Sequence, residues 1–351
     1  MRVAQVCHYY LPHLGGIEVY TRRTARDLLA AGDECRVFTS RHSLRDGAPL
    51  PEASYLPSIV SRSPYLPGVA KAVGEYRPDV IHAQSIWFWP CVQVARLGLP
   101  LAVTVHGLWP DESGPLLRIA LRGFQPLAQQ VLDKARVVIM LSEEEREKLH
   151  QRFRVDAGRV RIIGNGPDQI APEPMQLGRF ILFTGRVIRE KNAHVLAEAF
   201  ARLESGLRLI FLGPCEERYA AKLRAFAPAG IAVEKTLDPV RDAARLAGFY
   251  RAAELSVAIG DWEGQPTRVL ESLAQGTPAL SSSTLVRDGE NGLFVQRPSV
   301  SAVQEQLARW LRMTSEDRER MRRNALASAA PHMWPAKFEL LREALREAAR
   351  P

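Results

Sequence analysis

Two glutamates of the chain, Glu263 and Glu271, stand eight positions apart in the segment Glu-Gly-Gln-Pro-Thr-Arg-Val-Leu-Glu. The first lies in a glycine- and proline-containing loop after the apolar run 255–260, and the second lies on the helix predicted to follow. Helix N-termini attract anions, and carboxylates accept hydrogen bonds from hydroxyl groups. This segment therefore suits a ligand that carries a phosphate, a sugar and a ribose.

Two cations follow another predicted strand of the same half of the chain. Arg186 comes just after the apolar run 180–184, and Lys191 precedes a predicted helix. An arginine fork and a lysine point charge in one strand-to-helix turn are able to hold a diphosphate. Alone, such residues are more typical of a solvated loop. Their predicted location at the same sheet edge as Glu263 and Glu271 favours the diphosphate.

The N-terminal half has candidate residues at the ends of its strands. Gly15 and Gly16 open a helix after the first strand, where paired glycines let a backbone approach a ligand; a plain tight turn is the alternative. His106 ends a later strand and is a candidate site residue, and His82 ends the strand before it. For both histidines the alternative is a buried structural role.

The elements that must position these residues form two series, in which short β-branched runs alternate with longer amphipathic stretches. This alternation predicts an α/β fold of parallel sheets covered by helices on both faces. The predicted strands are 3–7, 35–39, 79–83, 101–106, 137–141, 160–163, 180–184, 207–212, 231–233, 255–258 and 279–281. The predicted helices are 16–31, 114–134, 143–153, 193–203, 216–227, 241–253, 267–275 and 337–349.

A turn-rich stretch at 164–174 separates the two series and predicts a linker. The predicted organisation is an N-terminal domain 1–167, a linker 168–178, a C-terminal domain 179–334 and a final helical segment 335–351. Both domains are expected to be doubly wound. Ligands would then lie at the C-terminal ends of the strands, in the crevice between the domains.

Composition limits the class of protein. The chain has 351 residues, of which 46% are hydrophobic and 25% charged, as in soluble globular proteins with two domains. It contains no apolar run of about 18 residues and no signal peptide, so we predict no membrane span. Its cysteines, Cys7, Cys35, Cys91 and Cys215, are far apart, which argues against a zinc site or disulfide framework and favours a cytoplasmic location.

The net charge of +8 is evenly spread along the chain. Residues 1–170 contain 21 Lys and Arg against 17 Asp and Glu, and the remainder contains 26 against 22. A nucleic-acid-binding protein more often concentrates its charge in one patch or tail. We therefore expect no nucleic-acid partner, and only weak affinity for anionic substrates or lipid surfaces.

Short motifs in a fixed order together span most of the sequence. They are Gly15-Gly16-Ile17-Glu18, 79–83, 103–107, 165–168, Gly185-Arg186 with Lys191, 263–278 and 288–295. On these motifs the chain resembles a retaining glycosyltransferase of family 4, with the GT-B fold of two Rossmann-like doubly wound domains facing each other across a cleft. The final helix would return to the N-terminal domain.

The resemblance implies a role for each matching position. Arg186 and Lys191 would hold the diphosphate of a nucleotide-activated sugar, Glu271 its ribose, and Glu263 the transferred sugar. Gly16 would meet the phosphates, and His106 would lie near the sugar. The implied catalytic residues are Arg186, Lys191, Glu263 and His106, and the implied substrate-binding residues are Gly15, Gly16, Gly264, Gln265, Pro266, Thr267 and Glu271.

The mechanism implied by the resemblance needs neither a metal ion nor a further cofactor. Departure of a nucleoside diphosphate builds negative charge on oxygen, which fixed cations and helix N-termini stabilise. A donor phosphate oxygen would take the proton of an acceptor hydroxyl on the same face, so that configuration is retained. Three departures stand against the family pattern. Asn192 occupies a usual glycine position, and the loop after Glu263 reads Gly264-Gln265-Pro266-Thr267 where many members have an aromatic residue and a glycine. The loop 281–287 lacks a common Gly-Gly pair and a Glu.

The acceptor is less defined. Its hydroxyl would belong to a glycan, a glycolipid precursor or a small-molecule natural product. Trp87, Phe88, Trp89 and Trp109 follow strand ends, where they form either an acceptor wall or part of the core. Segment 114–124 combines large apolar residues with arginines, which fits either a packed helix or a peripheral contact with the inner membrane face.

Two other classes of function are compatible with the same two-domain fold. A catalytically silent sugar-nucleotide-binding subunit would keep the donor residues without turnover. A nucleotide-sugar epimerase or a phosphorylase would need a different acid–base set or a lysine-bound cofactor, which the motifs do not indicate.

Overall fold

The computed structural model describes residues 1–59, 63–108, 115–234, 237, 242–260 and 267–350, with the backbone alone for 115–118 and 120. The chain divides into two compact units. Unit 1 comprises Met1–Gly164 and Lys337–Pro351, and unit 2 comprises Asn165–Ala336.

Unit 1 is built on a seven-stranded sheet in the order β3-β2-β1-β4-β5-β6-β7, in which every neighbouring pair is parallel. The strands are β1 (Arg2–Val6), β2 (Glu34–Ser40), β3 (Ala53–Leu56), β4 (Val80–Ala83), β5 (Leu101–Val105), β6 (Val137–Met140) and β7 (Val160–Ile162). The side chains of β4, β5 and β6 are buried throughout. Continuous burial is expected of strands with helices on both faces.

The helices of unit 1 include one from the end of the chain. They are α1 (Gly16–Ala30), α2 (Val69–Tyr76), α3 (Trp89–Ala95), α4 (Pro115–Lys134), α5 (Glu143–Arg152) and the greater part of the last helix, α12 (Trp334–Ala349). Arg342 of α12 donates to Asp33 Oδ2 at 2.8 Å, and Arg161 donates to Glu347 Oε1 at 2.5 Å. These ion pairs join α12 to the body of unit 1.

Unit 2 has a parallel sheet of six strands in the order β10-β9-β8-β11-β12-β13. The strands are β8 (Phe180–Thr184), β9 (Arg208–Leu212), β10 (Ile231–Glu234), β11 (Leu255–Ala258), β12 (Ala279–Ser281) and β13 (Gly292–Phe294). Its helices are α6 (Ala193–Ala201), α7 (Glu217–Arg224), α8 (Ala243–Ala252), α9 (Thr267–Ala274), α10 (Val300–Arg312) and α11 (Ser315–Ala329).

Strand β8 contributes side chains to two hydrophobic clusters, one on each face of the unit 2 sheet. Phe180 and Leu182 pack in a cluster with Phe249 and Tyr250, whereas Ile181 and Phe183 pack in a second cluster on the opposite face. Alternation along a strand sends successive side chains to opposite faces. Burial of one such side chain contributes about 1.5–3 kcal/mol, so both faces hold the strand in place.

The predicted two-sheet α/β fold is confirmed, and the eleven predicted strands lie within about one residue of observed ones. Among the described strands and α-helices, six were not predicted: β3, β13, α2, α3, α10 and α11. Strands β3 and β13 lie at sheet edges and have four and three residues, and helices α2 and α3 have eight and seven. Elements this short carry too few residues for a periodic pattern to stand out. Helices α10 and α11 have 13 and 15 residues, so their length does not explain why they were missed.

The order of the strands reverses once in each sheet. A ligand site is expected at the point of reversal. In unit 1 the order reverses between β1 and β4, and in unit 2 it reverses between β8 and β11. The loops that follow these strands diverge to opposite sides of the sheet, which leaves a crevice at its C-terminal edge. The candidate residues of both units follow these strands or their neighbours.

Among the described residues, no helix is both long enough and apolar enough to cross a membrane, and no group of three or more His, Cys, Asp or Glu is placed to hold a metal ion. All four cysteines are described and are free thiols. Cys7, Cys35 and Cys91 are buried, and Cys215 is half-buried.

Candidate functional site

The turn after β8 in unit 2 positions Arg186. Gly185 adopts a φ of +92°, and its N–H donates to Leu212 O at 3.1 Å. Gly213 packs closely on this turn, since a Cβ there would lie 2.1 Å from Gly185 O. Positive φ and close backbone approach both require glycine. The Arg186 side chain, which follows this fixed turn, is exposed at the C-terminal edge of the sheet.

Lys191 ends a short 3₁₀ turn, Arg189–Lys191, that leads into α6. Asn192 follows in the left-handed region with φ 56° and ψ 29°. Its side chain donates to Ile259 O at 2.9 Å, which joins the turn after β8 to the loop after β11. Asparagine is the non-glycine residue that tolerates this conformation best, and it adds a hydrogen bond. The departure from the usual glycine therefore leaves the turn intact.

Arg268 is a half-buried cation at the same edge. Its Nη1 donates to Thr184 O at 3.1 Å, and its guanidinium lies 5.5 Å from the centre of the Phe183 ring. Burial lowers the pKa of Arg268 to about 10; the charge of Arg186 acts in the same direction, while Tyr250 and Glu271 oppose it. Arg268 therefore remains charged at neutral pH and adds a second guanidinium beneath the turn that carries Arg186.

Glu271 lies on α9, one turn beyond Arg268. Its Oε2 accepts a hydrogen bond from the Tyr250 hydroxyl at 3.0 Å, and Thr184 Oγ1 lies 2.8 Å from the same hydroxyl. The residue is half-buried. The structure thus brings together the ends of β8 and α8 and the first turns of α9 around one carboxylate.

The loop between β11 and α9 holds four of the predicted site residues, Glu263, Gly264, Gln265 and Pro266, and these lie outside the described residues. Thr267, which was predicted with them, is the first residue of α9 and is exposed. Its position fits the sequence prediction that a helix N-terminus begins at this edge.

The shortened loop after β12 packs against the end of β11. Ser281 Oγ donates to Ala258 O at 2.6 Å, and Ser282 Oγ donates to Gly260 O at 3.3 Å. Serine hydroxyls satisfy backbone carbonyls at the point where the strand pairing ends. This loop therefore forms part of the same edge.

In unit 1, Gly15 and Gly16 begin α1 as predicted. Gly15 is the N-cap in an extended conformation, and a Cβ on it would lie 2.2 Å from Glu18 Oε2. Gly16 differs, because no described atom lies within 4 Å of the position of its Cβ. Packing within unit 1 thus explains the glycine at 15 but not the glycine at 16.

His106 follows β5 and is held by a buried amide. Its Nε2 lies 2.8 Å from Gln84 Oε1, and its ring contacts the edge of Tyr20 at 4.8 Å. Burial lowers the pKa of His106 to about 3, and the nearby His82 adds to the effect. A neutral ring that donates from Nε2 presents Nδ1 as an acceptor.

His82 lies inside β4, fully buried, with Nε2 at 2.7 Å from Thr104 Oγ1. The amide nitrogen of Gln84 lies 3.1 Å from His82 Nδ1 and donates to Gln5 Oε1 at 2.9 Å. Burial lowers the pKa of His82 to about 3. The structural alternative is the correct one for His82, because every nitrogen of the ring has a partner inside the unit.

A further histidine of this edge, His8, was not singled out by the sequence. Its ring stacks on Phe88 with centroids 3.7 Å apart, and burial lowers its pKa to about 3. Glu18 Oε1 lies 3.9 Å from His8 Nε2, but a neutral ring forms no ion pair. His8 Nδ1 has no hydrogen-bond partner among the described atoms.

Trp87, Phe88 and Trp89 are half-buried rather than fully buried. Trp89 contacts Phe124 edge-on at 5.5 Å, and Trp87 contacts Phe153 at 5.8 Å. These rings therefore pack α3 against α4 and α5 while part of each remains exposed. Trp109, which was predicted with them, lies outside the described residues.

Helix α4 carries the segment predicted either to pack or to touch a membrane. Ile119 is 68% exposed and Arg122 is exposed, whereas Ala128, Val131 and Leu132 further along are buried. The C-terminal half of α4 therefore packs on unit 1.

Sequence reasoning missed three residues of the unit 2 edge: Thr184, Tyr250 and Arg268. Arg268 and Glu271 are three positions apart on a helix and share a face, which was a usable signal. Tyr250 lies in an apolar stretch of α8 and carries no such signal. Its hydroxyl reaches the site through tertiary packing.

Two parallel sheets, each with polar residues at its switch point, define a pair of Rossmann-like units. Family models agree with this description: residues 14–169 match Glycosyltransferase Family 4, and residues 173–327 match Glycosyl transferases group 1. The chain belongs to the GT-B glycosyltransferases of the family 4 type, which use nucleotide-sugar donors.

Two glycosyltransferases are similar in sequence to this chain over more than nine-tenths of its length. A D-inositol 3-phosphate glycosyltransferase of Thermobispora bispora is 29% identical over 399 aligned positions, covering 95% of this chain and 90% of the relative. The enzyme of the same name from Gordonia bronchialis is 27% identical over 388 positions, covering 91% and 81%.

Solved structures share the fold. HepE of Anabaena in complex with UDP and glucose has a TM-score of 0.78 at 18% identity and covers 99% of both chains. Sucrose-phosphate synthase from Thermosynechococcus elongatus has a TM-score of 0.77 at 18% identity, covering 99% of this chain and 98% of that one.

Proposed function

We propose that this protein transfers a hexosyl group from a nucleoside diphosphate sugar to an acceptor hydroxyl with retention of configuration. The observation that carries the proposal is the convergence, at the β8–β11 switch point, of Arg186, Arg268 and the Lys191 turn with Glu271. Three cations and one carboxylate at a single sheet edge match a ligand that joins a diphosphate to a ribose.

The cations are suited to the leaving group. As the sugar departs, negative charge develops on the diphosphate oxygens, and fixed positive charges stabilise it more than they stabilise the ground state. Arg186 is carried by a turn that two glycines hold rigid, and Lys191 by a turn that Asn192 ties to Ile259. Little reorganisation is then needed during the reaction.

Glu271 is the candidate for the ribose hydroxyls, since its carboxylate is held by Tyr250 at the same edge. Glu263 and the backbone after it, with Gly264, Gln265 and Pro266, remain the candidates for the transferred sugar on the strength of the sequence. Thr267 at the start of α9 is the described residue that adjoins them.

Unit 1 is the candidate for the acceptor. His106 is neutral and presents Nδ1 as an acceptor, which suits a sugar hydroxyl and excludes a role as a permanent cation. Gly16 is the first residue of α1, and no packed side chain of unit 1 fills the space where its Cβ would be. A helix N-terminus with an open backbone suits an approaching phosphate.

The reaction proposed here needs neither a metal ion nor a protein nucleophile. A donor phosphate oxygen takes the proton of the acceptor hydroxyl, that hydroxyl bonds to the anomeric carbon on the face from which the nucleoside diphosphate departs, and the guanidinium groups hold the charge. Activity that survives a chelator supports this proposal, and activity that a chelator abolishes and Mg²⁺ or Mn²⁺ restores contradicts it.

The decisive experiment is a donor panel of UDP-, GDP-, ADP- and dTDP-sugars, each with and without candidate acceptors. The acceptors include D-inositol 3-phosphate, the compound in the names of the relatives, together with simple saccharides and a lipid-linked sugar. Nuclear magnetic resonance of the product gives the anomeric configuration. An inverted product overturns the retention.

The same panel separates the alternatives. An epimerase would change the sugar of the nucleotide without an acceptor, and a phosphorylase would need inorganic phosphate. A silent subunit would bind the nucleotide and turn nothing over. The variant Glu271→Gln is the internal control, because it should weaken nucleotide binding under every reading that places the nucleotide at this edge.

A further inference from the structure

Tyr250 stands behind the carboxylate proposed to hold the ribose. The residue is 2% exposed, and its hydroxyl lies 3.0 Å from Glu271 Oε2 and 2.8 Å from Thr184 Oγ1. Neither the sequence motifs nor the family match assigns it a role. Its contacts join the strand before the diphosphate turn to the carboxylate on α9.

The direction of these hydrogen bonds follows from the charge of each group. Burial raises the pKa of Tyr250 well above its ordinary value, and the charge of Glu271 adds to the effect, so the phenol keeps its proton. A carboxylate accepts and does not donate, so Tyr250 donates to Glu271. The proton of the Thr184 hydroxyl then points to the Tyr250 oxygen.

Tyr250 itself has little freedom. Thr277 Oγ1 donates to its carbonyl at 2.6 Å, and its ring packs with Phe180, Leu182 and Phe249. A glutamate side chain has several rotamers, and fixing it costs free energy that would otherwise be taken from ligand binding. A rigid donor behind one carboxylate oxygen holds that side chain in one orientation before the ligand arrives.

We propose that Tyr250 is a positioning residue that orients Glu271 for the vicinal hydroxyls of a ribose, and so makes the site selective for nucleotides that carry them. The inference rests on the proposed ribose-binding role of Glu271. A site built to pair with hydroxyl groups rejects an analogue that lacks them, because its polar atoms then stay buried and unpaired. Selectivity of this kind depends on how tightly the carboxylate is held.

The test compares the wild type with Tyr250→Phe, which removes the hydroxyl and keeps the ring. Calorimetry gives the dissociation constants of UDP, GDP and ADP and of their 2′,3′-dideoxy analogues. We expect the wild type to bind its preferred ribonucleotide at least about tenfold more tightly than the dideoxy analogue, and Tyr250→Phe to reduce that ratio to about twofold. Binding of the dideoxy analogue should change by less than about twofold.

Two further variants separate positioning from loss of structure. Thr184→Val keeps Tyr250 and removes its hydrogen-bond partner, so the ratio should fall by about threefold. Ser256→Ala removes a buried hydroxyl that bonds to Ser272, the residue next to Glu271, at 2.6 Å. That control should keep the wild-type ratio although it loosens the same helix.

Kinetics give a second readout. With the preferred donor, Tyr250→Phe should raise KM about tenfold while kcat stays within about threefold, because the ribose is remote from the breaking bond. An unchanged ribose ratio in Tyr250→Phe, or an equal loss in Ser256→Ala, overturns the positioning role while sugar transfer by the wild type stands. A wild type that binds the nucleotide without distinguishing the dideoxy analogue also overturns it, and one that binds none of the three nucleotides and transfers no sugar from any donor of the panel overturns both proposals.

Discussion

The two switch-point edges share one architecture and differ in charge. In unit 2 the edge between β8 and β11 holds Arg186 and Arg268 above the sheet, and Lys191 follows close by. In unit 1 the edge at β1, β4 and β5 holds a neutral network of Gln84 and His106. The parallel sheet provides the place for a site, and the residues after its strands decide whether the site attracts anions or pairs with neutral hydroxyls.

The difference has a physical basis in how each edge treats its ionisable groups. At this edge of unit 1, His8, His82 and His106 stay neutral, because burial lowers the pKa of each ring to about 3. In unit 2 the guanidinium of Arg268 is half-buried, but this group keeps its charge since its pKa falls only to about 10. We therefore predict that substitutions which remove a charge lower ligand binding and activity most when they fall in unit 2. A change of pH should alter the free energy of unfolding mainly through unit 1.

The largest effect is expected for Lys191→Ala. Removing one fixed donor to a developing oxyanion costs about 3 kcal/mol of transition-state stabilisation, which lowers kcat/KM by about two orders of magnitude. Steady-state kinetics with the preferred donor measure it.

The matched control for that variant is Arg189→Ala, which removes an exposed cation from the same 3₁₀ turn. It should keep kcat/KM within about threefold of the wild type, since exposed charges contribute little at physiological salt. Turnover of Lys191→Ala within a few-fold of the wild type would remove Lys191 from the proposed diphosphate site.

Arg268→Gln should have the next largest effect. The variant removes the half-buried charge and keeps an amide that is able to donate toward Thr184 O. Loss of a partly buried charge near a diphosphate weakens binding by about 2 kcal/mol, so the dissociation constant of the nucleoside diphosphate should rise about thirtyfold. Calorimetry measures it, and urea unfolding checks that the fold is intact. Unchanged affinity would show that Arg268 supports the turn without acting on the ligand.

The sequence predicted the fold well because its central strands are apolar on both faces, and such runs stand out from the amphipathic helices between them. Strand β8, Phe180–Thr184, was predicted to the residue. Edge strand β3, Ala53–Leu56, was missed because its four residues are only half-buried and carry no strong pattern. Prediction of β3 therefore failed because tertiary context, rather than local hydrophobicity, defines this strand.

The residues of the candidate site also divide into those that the sequence indicated and those that it did not. The sequence predicted Arg186, Lys191 and Glu271 as site residues because each follows a strand end or lies on the next helix, and the loop order of a doubly wound sheet is visible in sequence. Tyr250 and Thr184 were missed because their hydroxyls meet Glu271 only through packing of α8 against the sheet. Spacing along the chain does not report such contacts.

The pH dependence of unit 1 is expected to come from its buried histidines. His82 has an ordinary pKa of 6.5 when unfolded and about 3 when folded, so below pH 6.5 the unfolded state binds a proton that the folded state does not. The contribution of His82 to the free energy of unfolding is therefore complete above pH 6.5 and is lost as pH falls from there toward 3. Each such histidine costs about 1.4 kcal/mol at pH 5.5.

Urea unfolding at pH 7.5 and pH 5.5 tests this dependence. The variant His82→Gln should lose about 1.4 kcal/mol less than the wild type between the two pH values, and the double variant with His106→Gln about twice that amount. If both variants lose as much stability as the wild type, the histidines are not the groups that take up the protons.

The smallest effect on stability is expected for Gly16→Ala, and its sign is what matters. No described atom lies within 4 Å of the position of the new Cβ, and residue 16 is helical, so alanine should raise the unfolding free energy by about 0.5–1 kcal/mol. Gly74→Ala is the matched control, since Gly74 is a glycine of α2 with equal space around it. If a substrate approaches the backbone at Gly16, the first variant gains stability and its KM rises severalfold, whereas the second gains stability with unchanged kinetics. Equal kinetics in both variants would leave the open space at Gly16 without a ligand, and unit 1 would then contribute to the reaction through His106 and its neighbours alone.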